Sequence, residues 1–131
     1  MRVMPELKPD QIGTGRIWLC ATPREALDLL RDGEEGYWPV YIVLRASRAS
    51  RPDAPKFNLR LIWARGDFNA AACDEPSLRA HFEKDFPGLK HFPNSGSRRI
   101  TIAEHLSPAE AVKAAKSALD TMSAAIRTRP H

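Results

Sequence analysis

A chain of 131 residues, 43% hydrophobic and 27% charged, has enough apolar material for one core and too little length for two, which argues against disorder and for a single domain. Its 20 lysines and arginines outweigh 16 acids for a net charge of +4, an excess that favours an anionic partner only if it is concentrated. Two cysteines, Cys20 and Cys73, sit far apart among small or apolar residues and are too few for a disulfide scaffold, so buried, reduced thiols and a cytoplasmic location are expected.

In chain order, residues 1–15 carry Pro5, Pro9, Gly13 and Gly15 without a sustained period and read as an irregular arm. The opening also lacks the apolar stretch of a signal peptide, and no run approaches the about 20 apolar residues that cross a bilayer, so no membrane association is expected. Arg16 to Ala21 reads as a short buried strand. Thr22-Pro23 with Glu25 forms a capping box, predicting a helix to about Arg31 with Ala26, Leu27 and Leu30 on one face and Asp32-Gly33 as its stop. Trp38 to Ala46, nearly continuous in aliphatic, β-branched and aromatic residues, is a strand.

After the loop SRASRPDAP, Phe57 to Arg65 alternates, with Phe57, Leu59, Leu61 and Trp63 on one side and Asn58, Arg60, Ile62 and Ala64 on the other. Two such strands joined by that loop predict an antiparallel hairpin with an extended tip. Pro76 to Phe86 places Leu78, Phe82 and Phe86 on one helical stripe, ended by Pro87-Gly88. Arg98 to Ala103 alternates as a further strand with Ile100 and Ile102 inward. Ser107-Pro108-Ala109-Glu110 is a second capping box, starting a helix to about Arg127 with Val112, Ala115, Leu119, Met122 and Ile126 on its apolar stripe. Residues 128–131 are expected to fray. The predicted fold is α+β: one domain over residues 16–127, a mainly antiparallel sheet of about four short strands, and two or three helices packed on one face.

Chemistry-bearing motifs are sparse. Among His81, His91, His105 and His131 no two are spaced to share a helix face, and neither cysteine neighbours a histidine, so no metal is expected. The serines of Asn94-Ser95-Gly96-Ser97 lack a nucleophile elbow. Gly13-Thr14-Gly15 precedes a strand where a phosphate cradle follows one. The acids Asp67, Asp74, Glu75, Glu83 and Asp85 read as a solvated face. Neither a cofactor nor a catalytic residue is expected.

The charge, by contrast, is concentrated. Between Arg45 and Gly66 stand Arg45, Arg48, Arg51, Lys56, Arg60 and Arg65 against one acid, Asp53, with Trp38, Tyr41, Phe57 and Trp63 close by. Arginine grips phosphates bidentately and stacks on bases, so the expected partner is nucleic acid or another polyanion, bound through backbone contacts that read no sequence. The alternatives are a charged hairpin that merely blocks edge-to-edge pairing, a protein-interaction module or homo-oligomer using a sheet edge or the last helix's apolar stripe, and a small enzyme with a pocket around Cys20 or His105.

The order helix, three strands, helix, carried by PVYIVLR, PKFNLRLIW and EAVKAAKSALDTM, resembles in outline a double-stranded-RNA-binding domain over less than two-thirds of the chain, which implies RNA as ligand and a lysine-bearing last helix. Here that helix begins with Ala109 and Glu110 in place of a lysine cluster, and the helix near Phe82 is additional. No residue role is therefore carried over.

Overall fold

A computed structural model describes residues 2–3, 17–29, 38–63, 73–91 and 98–130. Strands β2 (Ile17–Pro23), β3 (Val40–Ala46), β4 (Phe57–Trp63) and β5 (Arg98–Leu106) form an antiparallel sheet in chain order. The two-residue β1 (Arg2–Val3), inside the segment read as an arm, pairs along β2 with Arg2 opposite Pro23 and Val3 opposite Thr22. The described residues also form two α-helices, α1 (Glu75–Phe82) and α2 (Pro108–Arg127), giving an α+β fold. No helix among the described residues is long and apolar enough to cross a membrane.

The first expected helix is corrected. Thr22 does not cap it: β2 runs on through Pro23, and the Thr22 hydroxyl, fully buried, donates to the Val40 carbonyl at 2.7 Å. A 3₁₀ helix, Arg24–Leu29, follows. Its buried residues Ala26 and Leu29 keep the three-residue spacing at which a 3₁₀ turn stacks side chains; Leu30 and the expected stop at Asp32-Gly33 lie outside the described residues. A hydroxyl that can satisfy a strand carbonyl in the core has no need to accept from a helix N–H.

The hairpin is as expected. β3 and β4 pair from Val40 opposite Trp63 to Ala46 opposite Phe57, and the alternation buries Val40, Ile42 and Leu44 against Leu59, Leu61 and Trp63. Onto this face packs α2 with Ala111, Ala115, Ala118, Leu119, Met122, Ala125 and Ile126. Its alanines let helix and sheet approach closely, while each large aliphatic buried there contributes about 1.5–3 kcal/mol.

Ser107 caps α2 as expected, accepting from the Glu110 N–H while Glu110 accepts from the Ser107 N–H at 2.9 Å. Val112 is a correction: it is 41% exposed and Ala111 is buried in its stead. The two lie about 100° apart on the helix, and it is the smaller side chain that joins the core.

α1 is also shorter than the stripe predicted. Asp74 caps it by accepting from the Ser77 N–H at 2.9 Å, and it ends at Phe82, after which a turn still delivers Phe86 to the core. Trp63 explains why α1 sits where it does. Its ring meets Phe82 edge-on at 5.2 Å, and its indole N–H donates to Glu75 at 2.9 Å. Two of the acids read as a solvated face thus have structural partners.

β5 corrects one further expectation. The partners Arg60↔Thr101 and Leu59↔Ala103 leave Ile102 as an extra residue in a bulge, so Ile100 packs on the core while Ile102 is 36% exposed. An inserted residue rephases the two-residue alternation from that point onward.

Candidate anion-binding face

The residues that alternate with the core strand residues point to the other face of the sheet. Register places them in rows: Tyr41, Ile62 and Arg99 side by side on β3, β4 and β5, then Val43, Arg60 and Thr101, then Arg45 and Asn58. Arg45, Arg60 and Arg99 therefore lie on a diagonal, each step one strand across and two residues along, or about 8 Å between backbones. Arg45 and Arg60 are half-buried and Arg99 is exposed.

The stripe concentrates positive charge on one sheet face. Among the described residues, no carboxylate stands within ion-pair distance of Arg45, Arg48, Arg51, Arg60 or Arg99. Burial lowers the Arg60 pKa first and the neighbouring charges of Arg45 and Arg99 lower it further, with Glu104 opposing them. Its Nε is buried without a hydrogen-bond partner. An unmet donor between two like charges is unfavourable to the folded chain taken alone.

The hairpin tip is a folded finger. Arg51 and Ala54 exchange backbone hydrogen bonds at 3.2 and 3.0 Å around Pro52-Asp53, and Ser47 N–H donates to Lys56 at 2.9 Å. Arg48 and Arg51 stand exposed on it and line a recess of about 630 Å³. A second cleft of about 480 Å³ lies between Arg45, Arg48, Asn58, Arg60, Glu104 and His105. His105 reaches it from a second bulge, with its backbone left-handed at φ 54°. That conformation costs on the order of 1 kcal/mol and is held by three contacts. His105 N–H donates to Asn58 Oδ1 at 3.0 Å, its Nδ1 shares a hydrogen bond with Ser47 Oγ at 3.0 Å, and Nε2 lies 3.9 Å from Glu104.

The fold thus gathers Arg45, Arg48 and Arg60 around one cleft and puts Arg51 beside it on the finger. Lys56 stands apart. It lies near enough to Glu110 to help lower that carboxyl, behind the stronger hydrogen bonds from Ser107. Arg65 lies outside the described residues. No family model, curated protein or solved structure matches the chain. The site accordingly stands on its own geometry.

Arg99 and Asn58 were missed by the sequence reading, and His105 was named there only for the alternative of an enzyme pocket. Arg99 had a signal, since it alternates with the inward Ile100, but only the β4–β5 register brings it beside Arg60. Both cysteines are buried and free. Burial pushes the Cys20 thiol up to about 11 and raises Cys73 as well, so neither is a ready nucleophile at neutral pH. Among the described residues no three His, Cys, Asp or Glu side chains are grouped to hold a metal ion.

Proposed function

We propose that this chain binds nucleic acid by clamping backbone phosphates with Arg45, Arg60 and Arg99 on the sheet and with Arg48 and Arg51 on the finger. The observation that carries the reading is the diagonal of arginines with no carboxylate in ion-pair distance among the described residues, with Arg60 both desolvated and repelled by its neighbours. A polyanion removes both penalties at once, and the planar guanidinium suits phosphate oxygens. Of the two surfaces a protein partner could use, a sheet edge and the apolar stripe of α2, the stripe is largely taken up by the core.

A salt titration tests the proposal. Binding through several phosphates makes log affinity fall linearly with log salt, by about 0.7 to 0.9 per phosphate neutralised. Replacing Arg48, Arg51 and Arg60 by glutamine is expected to flatten that slope by about 2 to 3. An unchanged slope rejects the arginine face as the site.

A further inference from the structure

We infer that the cleft on this face cleaves RNA, with Glu104 as general base and His105 as general acid; the inference rests on the phosphate reading above. The cleft gathers the three kinds of group that phosphodiester transfer needs, a carboxylate, an imidazole and cations. Glu104 and His105 reach it from β5, Arg45 and Arg48 from β3 and the finger, and Asn58 and Arg60 from β4. The register sets Glu104 and His105 together opposite Asn58, and the left-handed backbone of His105 is strain of the kind that folds hold at functional sites. His105 Nδ1 is engaged by Ser47 Oγ and its backbone N–H by Asn58 Oδ1, both at 3.0 Å. The ring is thus oriented in advance, and proton transfer falls to Nε2. That nitrogen lies 3.9 Å from Glu104 Oε2, and both side chains are more than half exposed, so a phosphate can enter between them.

RNA suits such a pair because it carries its own nucleophile. The ribose 2′-hydroxyl lies beside the phosphate of its own nucleotide, so an acid and a base suffice and no second reactant is required. The 2′ oxygen attacks phosphorus while its proton passes to the Glu104 carboxylate. The bond from phosphorus to the 5′ oxygen of the next nucleotide breaks, and that oxygen takes a proton from His105 Nε2. The products are a 2′,3′-cyclic phosphate and a free 5′-hydroxyl, and solvent returns the proton from Glu104 to His105. Arg60, close enough to feel the Glu104 charge, counters the negative charge that builds on the phosphoryl oxygens. DNA lacks the attacking hydroxyl and is therefore a ligand of the same arginines without being a substrate.

The test incubates the full chain, in EDTA, with a mixed-sequence RNA oligonucleotide of about 12 residues and with its DNA counterpart, and follows DNA binding by fluorescence anisotropy. The RNA is expected to be cut, leaving cyclic phosphate ends that mass spectrometry identifies, and the DNA to be bound and left intact. Glu104→Gln and His105→Asn, purified as the parent is, are each expected to slow cleavage about 10²- to 10⁴-fold while still binding DNA; asparagine tolerates the left-handed backbone at position 105. DNA that is bound while RNA stays intact, DNA that is cut, or cleavage of RNA at the parent rate by either folded variant overturns this inference and leaves the phosphate reading in place. Failure to bind DNA and to cut RNA overturns both. Should His105→Asn fail to fold, Glu104→Gln at its exposed position supplies the same comparison, and the contrast between RNA and DNA needs no variant.

Discussion

Replacing Arg60 by methionine should make the protein more stable and less able to bind. The apolar stem of methionine keeps most of the packing of the arginine stem on β4, while the charge and the unpartnered Nε disappear. Two like charges about 8 Å away repel by between about 0.5 and 2 kcal/mol each, depending on how much water screens them. The exposed Arg99 and half-exposed Arg45 place the sum near the low end, at about 1 kcal/mol. Relief of a buried, unsatisfied N–H adds about 1 kcal/mol, and the lost attraction to Glu104 offsets part of it. The expected net gain is about 1–2 kcal/mol, a rise in melting temperature of roughly 3–8 °C for a domain of this size.

Urea unfolding and thermal melts of parent and variant measure that gain. The sign agrees with linkage: a cation whose pKa is lowered in the fold destabilises it at every pH where it stays charged. Added salt should therefore stabilise the parent more than the variant. Loss of stability in Arg60→Met, or an equal response to salt, would refute the reasoning, since it would mean that Arg60 is satisfied in the native protein and has no vacancy for a ligand.

Thr22→Asp separates the two roles that residue could have. An N-cap accepts aspartate freely, whereas at a fully buried strand position the carboxylate is expected to destabilise the fold by about 3 kcal/mol or more, read as a drop in urea midpoint. Ser107→Ala should remove about 1 kcal/mol by deleting the α2 cap. The carboxyls of Glu110 and Asp74 are held below the usual range chiefly by the backbone N–H groups of Ser107 and Ser77. Their stabilisation is present above the ordinary carboxylate pKa and lost as pH falls through the folded values. The acid limb of a stability–pH profile is thus expected to be shallower for the double variant Asp74→Asn, Glu110→Gln, and an unaltered limb would assign the acid sensitivity elsewhere.

What the amino-acid sequence determined by itself was everything whose cause is local. The α2 cap needs only Ser107 and Glu110 three residues apart, and the β3–β4 hairpin needs only two runs of period two around a turn. Five of the six candidate cations lie on the described hairpin for the same reason. The failures share a different cause. Thr22-Pro23-x-Glu25 and Ser107-Pro108-x-Glu110 have the same cap chemistry, yet only Ser107 caps an α-helix, because the Thr22 hydroxyl is claimed by Val40, 18 residues away. Ile102 is turned outward by a bulge that exists only in the pairing of β5 with β4.

The site was decided the same way. Positive charge was legible along the chain, but its arrangement was not. Arg45, Arg60 and Arg99 come from three strands, and the register that aligns them depends on bulges and cross-strand hydrogen bonds. Local rules see a few residues at a time, whereas a diagonal across a sheet is a relation among segments that meet only when the core closes.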